Sequence, residues 1–449
     1  MRYALVATAL AIAPTVASAQ SDPASEVSEQ RLRADIDTLV SFGTRHTLSA
    51  QDDPRRGIGA AVDWGAAEMR RISDACGNCL RVTLPERMVE GRRIPQPTRL
   101  RNVVAIQTGS ERPREAVIVQ GHIDSRVSDV ADFTSDAPGA NDDGSGTVLV
   151  IEAARVLSQQ KYPTTIIYAL LSGEEQGLYG GQLLADWVAE QGYTVKAVLN
   201  NDIVGNSCGS DGFCDDEHVR VFSEGPRADL DDATRADQRR NGGENDTPGR
   251  NLSRFIGEVA EGHGDGLKVH QIWRTDRMGR GGDQIPFLEK GYPAVRFSVA
   301  VEDYEHQHQD LRTEGGTTYG DTPDEMDFPY LVRVTQLNVR VLDRLARSTM
   351  PPAPTANAAV QTFTDIAWEP VQGAAGYRVY RRRTDAPYWE ERPVALTADT
   401  KVKLDGVRGD DWLFGVSAVA QPGAIESPIA SAVPAGAFAP IATPKSDIE

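Results

Sequence analysis

The feature that most constrains this chain is a regular alternation of short apolar runs and helix-period stretches over residues 102–345. Strand-like runs are expected at Asn102–Ile106, Ala116–Gln120, Thr164–Leu171, Lys196–Leu199, Val219–Phe222, Val269–Trp273 and Ala294–Ser298. Between them Gly146–Leu157, Gly180–Ala189, Asn251–Glu261 and Pro329–Leu345 read as helices. Within the first of these, Leu149, Ala153, Val156 and Leu157 fall along one side, a helical period. Strands that alternate with helices in this way predict an α/β fold, a three-layer sandwich with a mixed, largely parallel sheet. Two further helices are expected upstream, Ser28–Val40 and Ala60–Ile72, with the polar loop Gly43–Thr47 after the first. The long polar stretch Gly205–Gly266 is expected to be an ordered insertion or a lid.

Sheets of this kind bind ligands beyond the carboxyl ends of their strands. His122, the pair Glu174-Glu175, Asp202 and His306 each follow an expected strand closely. Asp142 lies in Gly139-Ala140-Asn141-Asp142-Asp143-Gly144-Ser145-Gly146, at the entrance to the first long helix. Two His, two Asp and one Glu suit a pair of divalent metals and leave the second Glu to act as a base on water. Asp142 is the candidate to bridge, since one carboxylate can give an oxygen to each metal. Each residue alone has a plainer reading: a helix cap for the Asp142 segment, a solvated helix start for Glu174-Glu175, a surface His for His122. Agreement of all of them with one geometric rule outweighs those readings. Asp124, two residues past His122, is placed to orient that ring.

These blocks resemble the dizinc exopeptidase family that contains the secreted bacterial leucyl aminopeptidases and, more distantly, glutamate carboxypeptidase II. The match runs from about Leu39 to Leu345. It implies two Zn2+ ions, with His122 and Asp202 on one, Glu175 and His306 on the other, and Asp142 bridging. Glu174 would be the general base, and Tyr304 the group that stabilises the oxyanion. Two details depart from the family. Glu305 separates Tyr304 from His306, and Tyr304-Glu305-His306-Gln307-His308-Gln309-Asp310 offers two histidines. The family's His-to-Asp spacing of four favours His306, with His308 as a supporting group and Asp321 as an alternative partner. The implied activity is an aminopeptidase acting on peptide or protein substrates. A glutaminyl-cyclase-like acyltransferase using one zinc shares the scaffold, and a non-catalytic binding protein is the reading from another class. There is no His-Glu-x-x-His, and the elbow-like Gly205-Asn206-Ser207-Cys208-Gly209 leads into a polar loop instead of a helix.

The rest of the chain frames this site. A net charge of −18 over 449 residues argues against nucleic acid as a partner. Residues 1–19, with Arg2, an apolar stretch and Ala17-Ser18-Ala19, predict a signal peptide too short to span a membrane, and so an exported protein, periplasmic or extracellular. Four cysteines in two local pairs, Cys76/Cys79 and Cys208/Cys214, predict disulfides, the sequential pairing being favoured by proximity. The peptidase domain is expected over 20–348, with a Pro-rich linker at 349–355, a small all-β sandwich over 352–436 and a tail at 437–449. Trp368 and Tyr377-Arg378-Val379-Tyr380 give that sandwich a resemblance to a fibronectin type III module, although Trp412 stands where a corner Tyr is usual. Arg408-Gly409-Asp410 reads as a turn.

Overall fold

The computed structural model describes residues 22–264, 266–420 and 425–435, so the expected signal peptide and the tail lie outside the described residues. In chain order the larger body begins with α1 (Glu29–Ser41), α2 (Ile58–Ala75), β1 (Leu80–Thr83), β2 (Glu86–Gly91), β3 (Ile94–Arg101), β4 (Val103–Gln107), β5 (Arg112–His122) and α3 (Gly144–Leu157). It continues with β6 (Thr164–Leu171), α4 (Tyr179–Glu190), β7 (Thr194–Asn201), β8 (His218–Ser223), α5 (Asp232–Arg240), α6 (Pro248–Glu261), β9 (Lys268–Ile272) and α7 (Ile285–Glu289). Then come β10 (Ala294–Val299), the hairpin of β11 (Arg312–Glu314) and β12 (Thr317–Tyr319), and α8 (Phe328–Arg347). Among the described residues no helix is long and apolar enough to cross a membrane.

Eight strands form one sheet in the order β1-β4-β6-β5-β7-β10-β8-β9. The four central strands β6, β5, β7 and β10 are parallel neighbours, while β1·β4, β4·β6 and β10·β8 pair antiparallel. Alternate residues of each central strand serve opposite layers. Val117 and Val119 of β5 and Ile166, Tyr168 and Leu170 of β6 join the core that includes α1, α2, α3 and α8. Ile118, Ile167, Ala169 and Leu171 face the other way, against α4 and α7. Burial on both faces is why these strands read as continuous apolar runs, and each such aliphatic side chain contributes roughly 1.5–3 kcal/mol. This is the three-layer sandwich expected.

The β2–β3 hairpin was not foreseen. Pro95 and Pro97 in Ile94–Arg101 argue against a strand, but the hairpin is a separate two-stranded ribbon with free edges, where a missing N–H costs little. The described residues of 205–266 form part of the body of the fold instead of a lid: β8 is a sheet strand, and α6 packs in the helix layer. Both local cysteine pairs are closed as disulfides, Cys76–Cys79 and Cys208–Cys214.

The smaller body is a sandwich of two sheets around its own core. One sheet is β13 (Thr355–Asn357), β14 (Phe363–Ala367) and β17 (Lys401–Asp405). The other holds β15 (Gly376–Arg383), β16 (Ala395–Thr397), β18 (Trp412–Val419) and β19 (Ala430–Ser431). Trp368 and Tyr377 meet edge to face at 5.1 Å between ring centroids, and the Tyr377 hydroxyl accepts from Val371 N at 3.0 Å. Trp412 is covered by Arg381, whose guanidinium carbon lies 4.0 Å from the ring centroid.

The junction between the bodies is gripped on both sides. Ser348 and Thr349 are fully buried, and Ser348 O accepts from Lys196 Nζ (2.6 Å) and Arg112 Nη2 (3.0 Å). Further contacts seat the sandwich on α6. Asp246 pairs with Arg382, both buried, and also accepts from Ser431 Oγ at 2.7 Å. Asn251 donates to Ser431 Oγ at 2.9 Å, and Arg254 Nε donates to Pro387 O at 2.7 Å.

Candidate metal centre

The carboxyl ends of β5, β6, β7 and β10 deliver the site. His122 is the last residue of β5, Glu174 and Glu175 follow β6, and Asp202 follows β7. Asp142 comes from the turn into α3, which begins so sharply because Asp143 caps it, accepting from Gly146 N (3.0 Å) and from His122 N (2.9 Å). Asp321 fixes the same turn from outside by accepting from Asn141 N (2.8 Å) and Asp142 N (2.7 Å).

Three overlapping sets of ligand atoms result, each with its members within 4.8 Å of one another: His122, Asp142 and Asp202; Asp142, Glu175 and His308; His122, Glu174 and Glu175. His122 Nε2 lies 3.2 Å from Asp142 Oδ1 and 3.9 Å from Asp202 Oδ2. His308 Nε2 lies 2.8 Å from Asp142 Oδ2 and 2.9 Å from Glu175 Oε1. Asp142 thus belongs to two sets, as a bridging carboxylate must.

Two of the expected residues are elsewhere. His306 is turned away from the cluster: its Nδ1 faces Gly320 O at 2.8 Å, and its Nε2 lies 3.4 Å from Glu325 and 3.6 Å from Asp303. His308 stands in its place. The reason is local geometry: Gln307 N donates to Asp303 O in a tight turn, and His308 then takes a left-handed φ of 57°. That reversal sends Gln307 and His308 toward Asp142, which spacing along the chain does not reveal. Tyr304 points outward, 62% exposed.

The supporting groups are charged and buried. His122 Nδ1 faces Asp124 O at 3.1 Å and Oδ1 at 3.5 Å, as expected of Asp124. The same carboxylate accepts from the backbone N–H of Glu174 (3.3 Å) and Glu175 (3.2 Å), so it sets both strand ends at once. Arg296, fully buried, donates to Asp202 Oδ1 at 2.6 Å and pairs with Asp276 at 3.0 Å. Arg126 Nε donates to Glu175 Oε2 at 2.8 Å and its Nη2 lies 2.6 Å from His308 Nδ1. Arg45, also fully buried, ties Ile123 O to Gly139 O with bonds of 2.6 and 2.9 Å. Sequence reading passed over all three arginines. Arg296 had a signal, a lone charge inside the apolar run Ala294–Val299.

Electrostatics separate the two glutamates. Burial, with Asp202, Glu175 and Asp283 nearby, pushes Glu174 well above the usual carboxylate range against the pull of His122. Burial would raise Glu175 too, but His308 and Arg126 hold it at about 2. Burial likewise opposes ionisation of Asp142, yet His308 and His122 keep it well below the usual range. The donor set fits a divalent metal: it is all carboxylate and imidazole, and among the described residues the buried Glu175 Oε1 forms no hydrogen bond and faces only the His308 imidazole at 2.9 Å. Ser207, the elbow-like serine, donates to Asp327 at 2.6 Å and takes no part.

Comparison with known proteins identifies the family and the fold. Residues 102–327 match the model for "Peptidase family M28". A probable zinc metalloprotease of Leptosphaeria maculans is 44% identical over 401 residues, covering 88% of this chain and 92% of that one. Another from Pyricularia oryzae is 42% identical over 410 residues, 88% and 80% of the two chains. Among solved structures, the LapA aminopeptidase of Legionella pneumophila superposes with a TM-score of 0.50 at 19% identity, over 72% of this chain and 73% of that one. Legionella LapB gives 0.52 at 18% identity, over 72% and 74%. At that identity the likeness is one of fold.

Proposed function

Because this chain belongs to peptidase family M28, we propose that it is a zinc-dependent exopeptidase, an exported aminopeptidase that removes N-terminal residues from peptides. The observation that carries the reading is the pair of three-residue ligand sets joined at Asp142, with Glu174 close by. His122 and Asp202 would hold one zinc, Glu175 and His308 the other, and Asp142 both. Bound zinc supplies Lewis-acid polarisation of the scissile carbonyl and acidifies water at the site. Glu174 takes the proton of the attacking water and passes it to the departing amine. Burial raises its proton affinity, which favours taking up that proton and retaining it until the amine departs. Arg296 and Arg126 keep Asp202 and Glu175 oriented. Export rests on the pattern in residues 1–19. The second body is read as a fibronectin type III-like module on Trp368 and its strand pattern.

The test is a panel of aminoacyl-anilides and N-blocked analogues, run on the mature protein and on Glu174→Gln, with zinc counted in both. Expected are cleavage of free-amine substrates alone, two zincs in each protein, and a loss of roughly 10²–10⁴-fold in kcat for Glu174→Gln. Turnover of blocked or C-terminal substrates only would remove the aminopeptidase assignment and leave the peptidase. One zinc with cyclisation of N-terminal Gln would select the acyltransferase.

A further inference from the structure

One wall of the site is the loop Trp273–Gly282, between β9 and α7, and it is rich in arginine. Arg277 Nη1 donates to Glu302 Oε2 at 2.9 Å, and Arg280 Nη1 donates to the same oxygen at 3.0 Å. Arg220 Nη2 reaches Glu302 Oε1 at 2.6 Å. Three guanidinium groups therefore share the Glu302 carboxylate, and Arg277 also pairs with Asp276 at 3.2 Å. Arg280 has the most exposed of the three side chains, 31% against 19% for Arg220 and 8% for Arg277. It is linked to the metal ligands through one side chain: Nη1 also donates to Gln307 Oε1 at 3.1 Å, and Gln307 Nε2 donates to Asp142 Oδ2 at 2.8 Å. Only that one nitrogen is used. Among the described residues Arg280 Nε and Nη2 have no hydrogen-bond partner.

We propose that Arg280 is a specificity residue that receives a substrate carboxylate on the leaving-group side, so that the protein favours short peptides, dipeptides above all, with a free C-terminus. The inference rests on the exopeptidase reading and deepens it. A guanidinium with a free edge presents parallel N–H donors that match a carboxylate bidentately, and an amide cannot answer them equally. One glutamine, bonded at 3.1 and 2.8 Å, separates the guanidinium from Asp142, within the reach of a short extended peptide. A carboxylate held there belongs to the residue just past the scissile bond. The plainer role, a strut for Glu302 and Gln307, would use Nη1 and make no distinction between a peptide acid and its amide.

The experiment compares a dipeptide with its C-terminal amide in two readouts. The first is kcat/KM with the zinc-loaded protein, Arg280→Gln and Arg277→Gln. The second is calorimetric binding in the Glu174→Gln background, with and without Arg280→Gln, which requires no turnover. Expected are a preference of tenfold or more for the acid, in rate and in binding, and its collapse to about one in Arg280→Gln. Arg277→Gln, a buried strut, should weaken both peptides together and keep the ratio. Equal binding of acid and amide before mutation, no binding of either, or a ratio that survives Arg280→Gln overturns the proposal. Absence of turnover with a calorimetric preference intact removes the aminopeptidase reading and leaves the assignment of Arg280 standing.

Discussion

His306 and His308 lie two residues apart and face different surroundings. His308 sits between Asp142 and Glu175, and His306 against Gly320 O. His308→Ala should therefore abolish activity and cost one zinc by elemental analysis, whereas His306→Ala should retain the full zinc count. The types and rough positions of most ligands could be read from the chain, because His122, Glu175 and Asp202 lie at or just past strand ends, which follow from apolar runs, and Asp142 at a helix entrance. Which of two neighbouring histidines turns inward could not, since a single left-handed residue decides it. Arg45 and Arg126 were equally hidden, since a charge in a loop is read as surface unless its partner, distant in sequence, is known; Arg296, inside an apolar strand, was the exception. Asp276 offers a test of that network. Burial opposes its ionisation, but Arg296 and Arg277 bring it down from 3.8 to about 2. A depressed carboxyl stabilises the fold above its unfolded value, and that contribution is lost as pH falls through about 2. Asp276→Asn should cost roughly 2–3 kcal/mol near neutrality, since buried Arg296 and Arg277 lose a charged partner while Arg296 keeps Asp202. The gap to the parent should then narrow by about 2 kcal/mol between pH 5 and 2, measured by urea unfolding across that range.

At the scale of elements, the turn into α3 depends on a carboxylate from far along the chain. Asp321, beyond the β11–β12 hairpin, holds the N–H groups of Asn141 and Asp142. Asp321→Ala leaves two donors without their partner, at roughly 1–3 kcal/mol each where water does not replace it. The expected outcome is a lower melting temperature and faster zinc loss to a chelator than in the parent. The central sheet strands were legible in sequence because both of their faces are buried, which makes continuous apolar runs, whereas the half-exposed edge strand β1 (Leu80–Thr83) was not. Thr164–Leu171 has the bounds expected, and Ala116–Gln120 grew at both ends to Arg112–His122. The β2–β3 hairpin and α5 were not, for the opposite reason. Their sequences are polar, and what holds the hairpin is a small cluster of Val89, Ile94 and Leu100 with Leu183 of α4.

For the whole molecule, the two bodies are joined by more than a covalent junction. The pair Asp246–Arg382 is 0% and 3% exposed at its side chains, a cost in desolvation that the pairing and the bonds from Ser431 and to Ala386 O offset. Arg382→Ala should destabilise the protein by roughly 3–5 kcal/mol, and Asp246→Ala combined with it by less than the sum of the two alone, in denaturant titrations. The Pro-rich composition of 349–355 marked the place where one core ends and another begins. It did not show that Lys196 and Arg112 would clasp Ser348 there, because those partners lie about 150 and 236 residues away. The seam also bears on how the chain is made. Ser431 follows its partner Asp246 by 185 residues, so at roughly 5–20 residues per second a ribosome needs about 10–40 s to supply the second half of that contact. Throughout this interval α6 presents Asn251 and Arg254 without the sandwich that will cover them, which makes the growing chain a client for whatever holds unfinished proteins on their way to completion.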